Sequence, residues 1–144
     1  MSQQVEFYVL QGADETDRLK FACRIAAKAF HQGMQVYLQT ENSVQEQNLD
    51  ELLWTYSASS FLPHKVFRDG EKIDVPILIG DVDPPDSWNQ FLISLTDQVP
   101  AQAYRFKRIA DLIGDDEKQK QVGRDRFRTY RNNGIEPNTH KMNA

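Results

Sequence analysis

The 144-residue chain contains one cysteine, Cys23. A single thiol can form neither an internal disulfide nor a cysteine-based metal cluster. Its neighbours Phe21, Ala22 and Ile25 mark it as a buried, inert thiol rather than a nucleophile. No apolar run approaches the ~20 residues that a membrane-spanning helix needs. The N-terminus lacks the basic, apolar and small-residue succession of a secretory signal, so a cytoplasmic location is expected.

Glycine is scarce where nucleotide chemistry would require it. Neither GxGxxG nor GxxxxGK[ST] occurs, and the segment Gln11 to Thr16 after the first apolar run holds only Gly12. There is no HExxH and no GxSxG, and His31, His64 and His140 are scattered along the chain. Asp81, Asp83 and Asp86 surround two prolines and have no glycine at the position an EF-hand loop needs, which suits a solvated acidic turn. No cofactor, metal or catalytic residue is therefore assigned.

What the chain does have is an uneven distribution of charge. Residues 1 to 103 carry seven Lys/Arg against fifteen Asp/Glu, whereas residues 104 to 144 carry ten against six. A positive segment within a chain of net charge −4 is local, not the signature of a generally basic protein. Within it, Lys120, Arg124, Phe127 and Arg131 fall at helical offsets of zero, four, seven and eleven, within about 60° of one another on a helix surface. Three cations around one ring make a poor core face and a good socket for a ligand that carries carboxylates and a hydrophobic side chain. Duplex DNA binders spread their cations more widely, so a short acidic segment of another protein is the better fit. The plainer alternative is a solvated face in which Asp125 pairs locally with its neighbours.

Strand-like and helix-like pieces alternate. Val5 to Leu10, Val36 to Leu38, Val75 to Ile79 and Phe91 to Leu95 read as strands. Asp14 or Thr16 caps a helix whose face is Leu19, Ala22, Cys23, Ala26, Ala29 and Phe30, ending at Gly33. Ser43 and Glu46 have the spacing of a capping box before a broken or two-part helix through Leu49, Leu52, Leu53 and Trp54. Ser59 to His64 is expected as a loop. Ala103 to Ile113 reads as a helix with Phe106, Ile109, Ala110 and Ile113 inward, and Asp115 or Asp116 starts the basic helix. The pattern predicts an α/β fold: one three-layer Rossmann-like domain over residues 1 to 144, with a mainly parallel sheet between helices. Residues 138 to 144 are expected as a candidate flexible tail.

Several stretches together carry a family resemblance over nearly the whole chain. They are Val5-Glu6-Phe7-Tyr8-Val9-Leu10, Ala22 to Gly33, Leu49-Asp50-Glu51-Leu52-Leu53-Trp54, Ser60-Phe61-Leu62-Pro63-His64, and Gly123-Arg124-Asp125-Arg126-Phe127-Arg128-Thr129-Tyr130-Arg131 with Gly134. In order and spacing they resemble the chi subunit of bacterial DNA polymerase III holoenzyme. That resemblance implies a non-catalytic adaptor in DNA replication. It would link the clamp loader, through the psi subunit, to the acidic C-terminal tail of single-stranded-DNA-binding protein, which ends in a phenylalanine with a free carboxylate.

By that resemblance Lys120, Arg124 and Arg131 would take carboxylates, Phe127 and Trp54 would border the phenylalanine pocket, and Asn138 and Thr139 would supply hydrogen bonds. Phe127 stands where the family has a tyrosine, so a hydroxyl contact is lost while the apolar wall remains. Phe61 is the residue expected to meet psi, with an inward-folded ring as the alternative. Trp54 equally suits ordinary core, Tyr130 is expected against the sheet, and His64 is expected in a structural role. Two rival functions remain: direct binding of single-stranded nucleic acid through Arg124, Phe127, Arg128 and Tyr130, and a degenerate nucleotide-using enzyme.

Overall fold

The computed structural model describes residues 3–56 and 61–143. The strands are β1 (Gln4–Gln11), β2 (Val36–Gln39), β3 (His64–Val66), β4 (Ile77–Gly80), β5 (Phe91–Ser94), β6 (Arg108–Ile113) and β7 (Asn138–Asn143). They form one sheet in the order β3-β4-β2-β5-β6-β1-β7, and every pairing is parallel. The helices are α1 (Glu15–His31), α2 (Ser43–Thr55) and α3 (Glu117–Asn132), with a 3-10 turn at Ala101–Arg105.

Two apolar layers sandwich the sheet, as the near-continuous apolar strands predict. Val36, Leu38, Ile77, Ile79, Ile93 and Leu112 pack with Leu19, Cys23 and Ala26 of α1 and Leu49 and Leu53 of α2. Residues of opposite parity, among them Phe7, Tyr37, Leu78, Leu92 and Ile109, form the second layer with Phe106 and Tyr130. The chain is thus a three-layer α/β domain of Rossmann-like outline.

Asp14 caps α1: its carboxylate accepts from Asp17 N at 2.8 Å, and Asp17 returns the bond to Asp14 N. Gly33, with φ of +80°, follows the helix in the left-handed region that glycine adopts without steric penalty. Burial pushes the thiol of Cys23 up to about 12, in keeping with an inert core residue.

Four expectations need correction. Ala103 to Ile113 is not a helix: it is a 3-10 turn followed by β6, which lies between β5 and β1. The inward residues Phe106, Ile109, Ala110 and Ile113 are all buried, but a strand covered on both faces buries them as well as a helix would. Asp111 decides the matter, because its parity points it to the α3 side, where Arg126 neutralises it. At α2 the cap is Asn42, which accepts from Gln45 N, and α2 runs unbroken. Glu46 is instead buried, gripping Arg68 at 2.6 and 3.1 Å and accepting from Asp81 N at 3.0 Å. Residues 138 to 143, expected in a flexible tail, form the edge strand β7, paired with Glu6 to Gln11 of β1. Of the expected loop 59 to 64, residues 59 and 60 lie outside the described residues, 61 to 63 belong to no helix or strand, and only His64 departs, opening β3.

Candidate functional site

The socket is built where α3 crosses the β1-β7 edge. Asp116 caps α3 by accepting from Gln119 N at 2.7 Å, which starts the helix in the phase that turns Lys120, Gly123, Arg124 and Phe127 toward the sheet. Beneath them lie Phe7 and Val9 of β1 and Ile113 of β6, and β7 closes the side with Thr139 and Lys141. The resulting cleft has a volume of about 430 Å³. Phe127 is half-buried in its floor, edge-on to Phe7 with ring centroids 5.3 Å apart.

Gly123 sets how deep the cleft is. A Cβ there would lie 2.5 Å from Cδ1 of Ile113 and 3.0 Å from its Cγ1, so only glycine lets α3 sit this close to β6. A buried ion pair holds the same helix down. Arg126 donates to both carboxylate oxygens of Asp111 at 2.7 and 2.8 Å and to the Asp97 carbonyl at 3.1 Å. Tyr130, fully buried and edge-on to Phe7, packs against the sheet as expected.

The electrostatics leave some of the rim cations available. Arg124 bonds only Gln121 Oε1, at 3.0 Å, and has no carboxylate in ion-pair range among the described residues. Lys141 likewise has no such partner there, whereas Lys120 holds Asp115 Oδ1 at 3.1 Å. The other oxygen of Asp115 accepts from Gly12 N at 2.8 Å. That backbone bond, followed by the Lys120 ammonium, holds the Asp115 carboxyl below its ordinary value. An incoming anion would share Lys120 with this carboxylate.

Lys120, Arg124, Phe127 and Thr139 meet as expected, but three other residues assigned to the socket do not line it. Arg131 lies a turn farther along α3 and pairs with Glu136 at 3.2 Å. Asn138 is in register with Glu6, one residue out of phase with the lining pairs Phe7↔Thr139 and Val9↔Lys141, so it faces the other side of the sheet.

Trp54 is the largest departure. It lies on α2, which packs beside β3 and β4, and at about 4.8 Å per strand that edge is roughly 29 Å from β7. No indole borders the cationic cleft. Lys141 was missed by sequence reasoning. Its alternation with Thr139 is the available signal, masked because Asn138 to Asn143 is a polar edge strand without the apolar alternation that marks the others.

Trp54 instead belongs to a second surface. It is 56% exposed and Phe61 is 67% exposed, with their ring centroids 5.6 Å apart. The inward alternative for Phe61 is therefore excluded. His64 underlies the pair, 4.5 Å from the indole, with Nδ1 2.6 Å from the Leu62 carbonyl and Nε2 3.2 Å from Asp50. Two large exposed rings in contact make an apolar patch of the kind that anchors protein interfaces.

At the carboxyl ends of the strands, Asp14, Asn42 and Asp116 each accept from one amide of their own helix, and acidic residues stand in each first turn: Glu15 and Asp17, Glu46, and Glu117. These helix ends therefore do not offer the open cradle that a phosphate needs. No described helix is long and apolar enough to cross a membrane.

Comparison with known proteins follows the same lines. Residues 1–138 match the protein family described as DNA polymerase III chi subunit, HolC. The chain is 37% identical over 139 residues to DNA polymerase III subunit chi of Pseudomonas aeruginosa, with 96% of each chain covered. It is 31% identical over 138 residues to the Escherichia coli protein of the same name, covering 92% of this chain and 94% of that one. The crystal structure of T4 UvsW superposes with a TM-score of 0.69 at 9% identity, over 98% of this chain and 42% of that one, a likeness of fold alone.

Proposed function

Because the chain belongs to the DNA polymerase III chi subunit family, we propose that it is a replication accessory subunit that works by binding and performs no chemistry of its own. Its α3-β7 cleft receives the acidic, phenylalanine-terminated tail of single-stranded-DNA-binding protein. The observation that carries this is the placing of Lys120, Arg124 and Lys141 around an apolar floor of Phe127, Phe7 and Val9. A terminal phenyl ring would enter the floor, where its burial contributes about 2 to 3 kcal/mol. Its carboxylate would take Arg124, whose guanidinium has no competing carboxylate within ion-pair distance among the described residues. Upstream aspartates would act on Lys120 and Lys141 mainly through encounter rate and salt sensitivity. Ordering a flexible tail offsets much of this gain, so binding in the micromolar range is expected.

The test is a titration of a labelled tail peptide with and without its last phenylalanine. Removal of that residue should weaken binding by at least tenfold, and Arg124→Ala should do the same at low salt. Equal binding of both peptides would reduce the cleft to a generic charge attraction.

The Trp54-Phe61 patch is the surface we assign to psi, and through it to the clamp loader. Phe61→Ala should abolish co-purification with psi while the melting temperature is unchanged; retention of psi would remove this surface from the interface. Direct single-strand binding through α3 has less support than the tail reading. Tyr130 is fully buried, and Arg128 is paired with Asp125 at 2.8 Å.

A further inference from the structure

On the opposite face of the β1-β7 edge from the tail cleft lies a second recess of about 260 Å³. Arg24 and Lys28, one turn apart on α1, and Arg108 at the start of β6 line it, and no carboxylate does. In a chain of net charge −4, Arg68, Arg126, Arg128 and Arg131 each take a carboxylate within 3.2 Å. Arg24, Lys28 and Arg108 have none within 4 Å among the described residues, although clustering three like charges is unfavourable.

Two of these cations are held in place by soft contacts that leave the charge uncompensated. The Arg108 guanidinium lies 4.7 Å from the centre of the Phe91 ring, with Nη1 3.5 Å from the Met34 sulfur, and Arg24 lies 5.6 Å over Phe21. Ile25, Tyr8 and Met142 supply an apolar and aromatic wall, and Gln32 adds a polar side chain. His140 stacks on Tyr8 at 5.0 Å and is tied to Glu6 at 2.8 Å, which fixes the tyrosine ring.

We infer that this recess binds a nucleoside phosphate, with the phosphate on Arg24, Lys28 and Arg108 and the base against the wall of Ile25, Tyr8 and Met142. A phosphate monoester carries about −1.5 to −2 at neutral pH, closer than a single carboxylate to matching the three cations that line one recess. The C-terminus of α1 contributes roughly −0.5 of a charge at this end, which the three cations exceed. Guanidinium groups suit phosphate because their fork presents paired donors. The same chemistry has two sources, a free nucleotide and the phosphorylated end of a nucleic-acid strand.

The full chain, labelled with nitrogen-15, separates them by amide-shift titration with thymidine 5′-monophosphate and with ten-residue oligothymidylate with or without a 5′-phosphate. Saturable shifts around Tyr8, Arg24 and Lys28 are expected. Arg24→Glu and Lys28→Glu should each weaken binding at least tenfold, with Lys72→Glu, an exposed site elsewhere, as the charge control. Saturation by the mononucleotide identifies a free nucleotide; saturation only by the phosphorylated oligomer identifies a strand end. Arg24→Gln replaces the reversal if that variant melts early. Unchanged affinity in the Arg24 and Lys28 variants, equal binding of the unphosphorylated strand, or no saturable shifts with either nucleotide probe, whether or not an acidic peptide produces them, would overturn the assignment.

Discussion

Replacing Arg126 with methionine tests whether α3, and with it the α3-β7 cleft proposed to bind the tail, is fastened by the buried pair. The side chains of Arg126 and Asp111 are 2% and 0% exposed, and the guanidinium also serves the Asp97 carbonyl. Methionine fills much of the arginine's volume but leaves the Asp111 carboxylate buried without a partner, which costs about 3 to 5 kcal/mol. A domain of this kind holds only about 5 to 15 kcal/mol in total. With a urea slope of about 2 kcal/mol per molar, the midpoint should fall by roughly 1.5 to 2.5 M. The double variant Asp111→Leu, Arg126→Met removes both charges and should recover most of that loss. Urea unfolding followed by far-ultraviolet circular dichroism reads both, and tail-peptide affinity should fall in the single variant and return in the double. A midpoint shift under about 0.5 M in Arg126→Met, with the slope unchanged, would show that the pair contributes little and that α3 is held by apolar contacts.

Further outcomes follow from the same contacts. Gly123→Ala gains up to about 1 kcal/mol of helix propensity but crowds Ile113, a cost of about 1 to 3 kcal/mol, so a net loss is expected in urea unfolding. It should also weaken tail binding, and Ile113→Val should restore part of both; an unaltered melt and affinity would mean that Ile113 simply rotates away. Because the Asp115 carboxyl is held below its ordinary value, its contribution to stability is present above the unfolded value of 3.8 and is lost as pH falls through the lower folded value. The Gly12 amide shift should report this as a titration midpoint below 3.8, and a midpoint at or above it would contradict the clasp. Cys23, with its thiol pushed up to about 12, should resist a thiol reagent at pH 8 until denaturant is added. Rapid reaction of the native protein would refute its burial.

Much of the architecture was legible because its causes are local. The face Leu19, Ala22, Cys23, Ala26 needs only helical spacing to be recognised, and Asp14 and Asp116 cap helices within their own segments. Phe127 and Arg124 share a helix face by spacing alone, which is why the core of the socket could be named. Where two causes compete over distance, the pattern was ambiguous. Ile109, Ala110 and Ile113 satisfy a helix and a doubly covered strand equally. Glu46 has capping spacing, yet its carboxylate is taken by Arg68, 22 residues away.

The amino-acid order by itself determined strands β1, β2, β4 and β5, the three helices including the cationic one, and the family, because these follow from short-range periodicity, caps and ordered motifs. Tertiary structure alone decided which residues share a surface. It paired β7 with β1, bringing Thr139 and Lys141 to α3. It carried Trp54 to the far edge of the sheet, beside Phe61. Strand order is set by long-range hydrogen bonding between strands, which leaves no trace in the spacing of neighbouring residues.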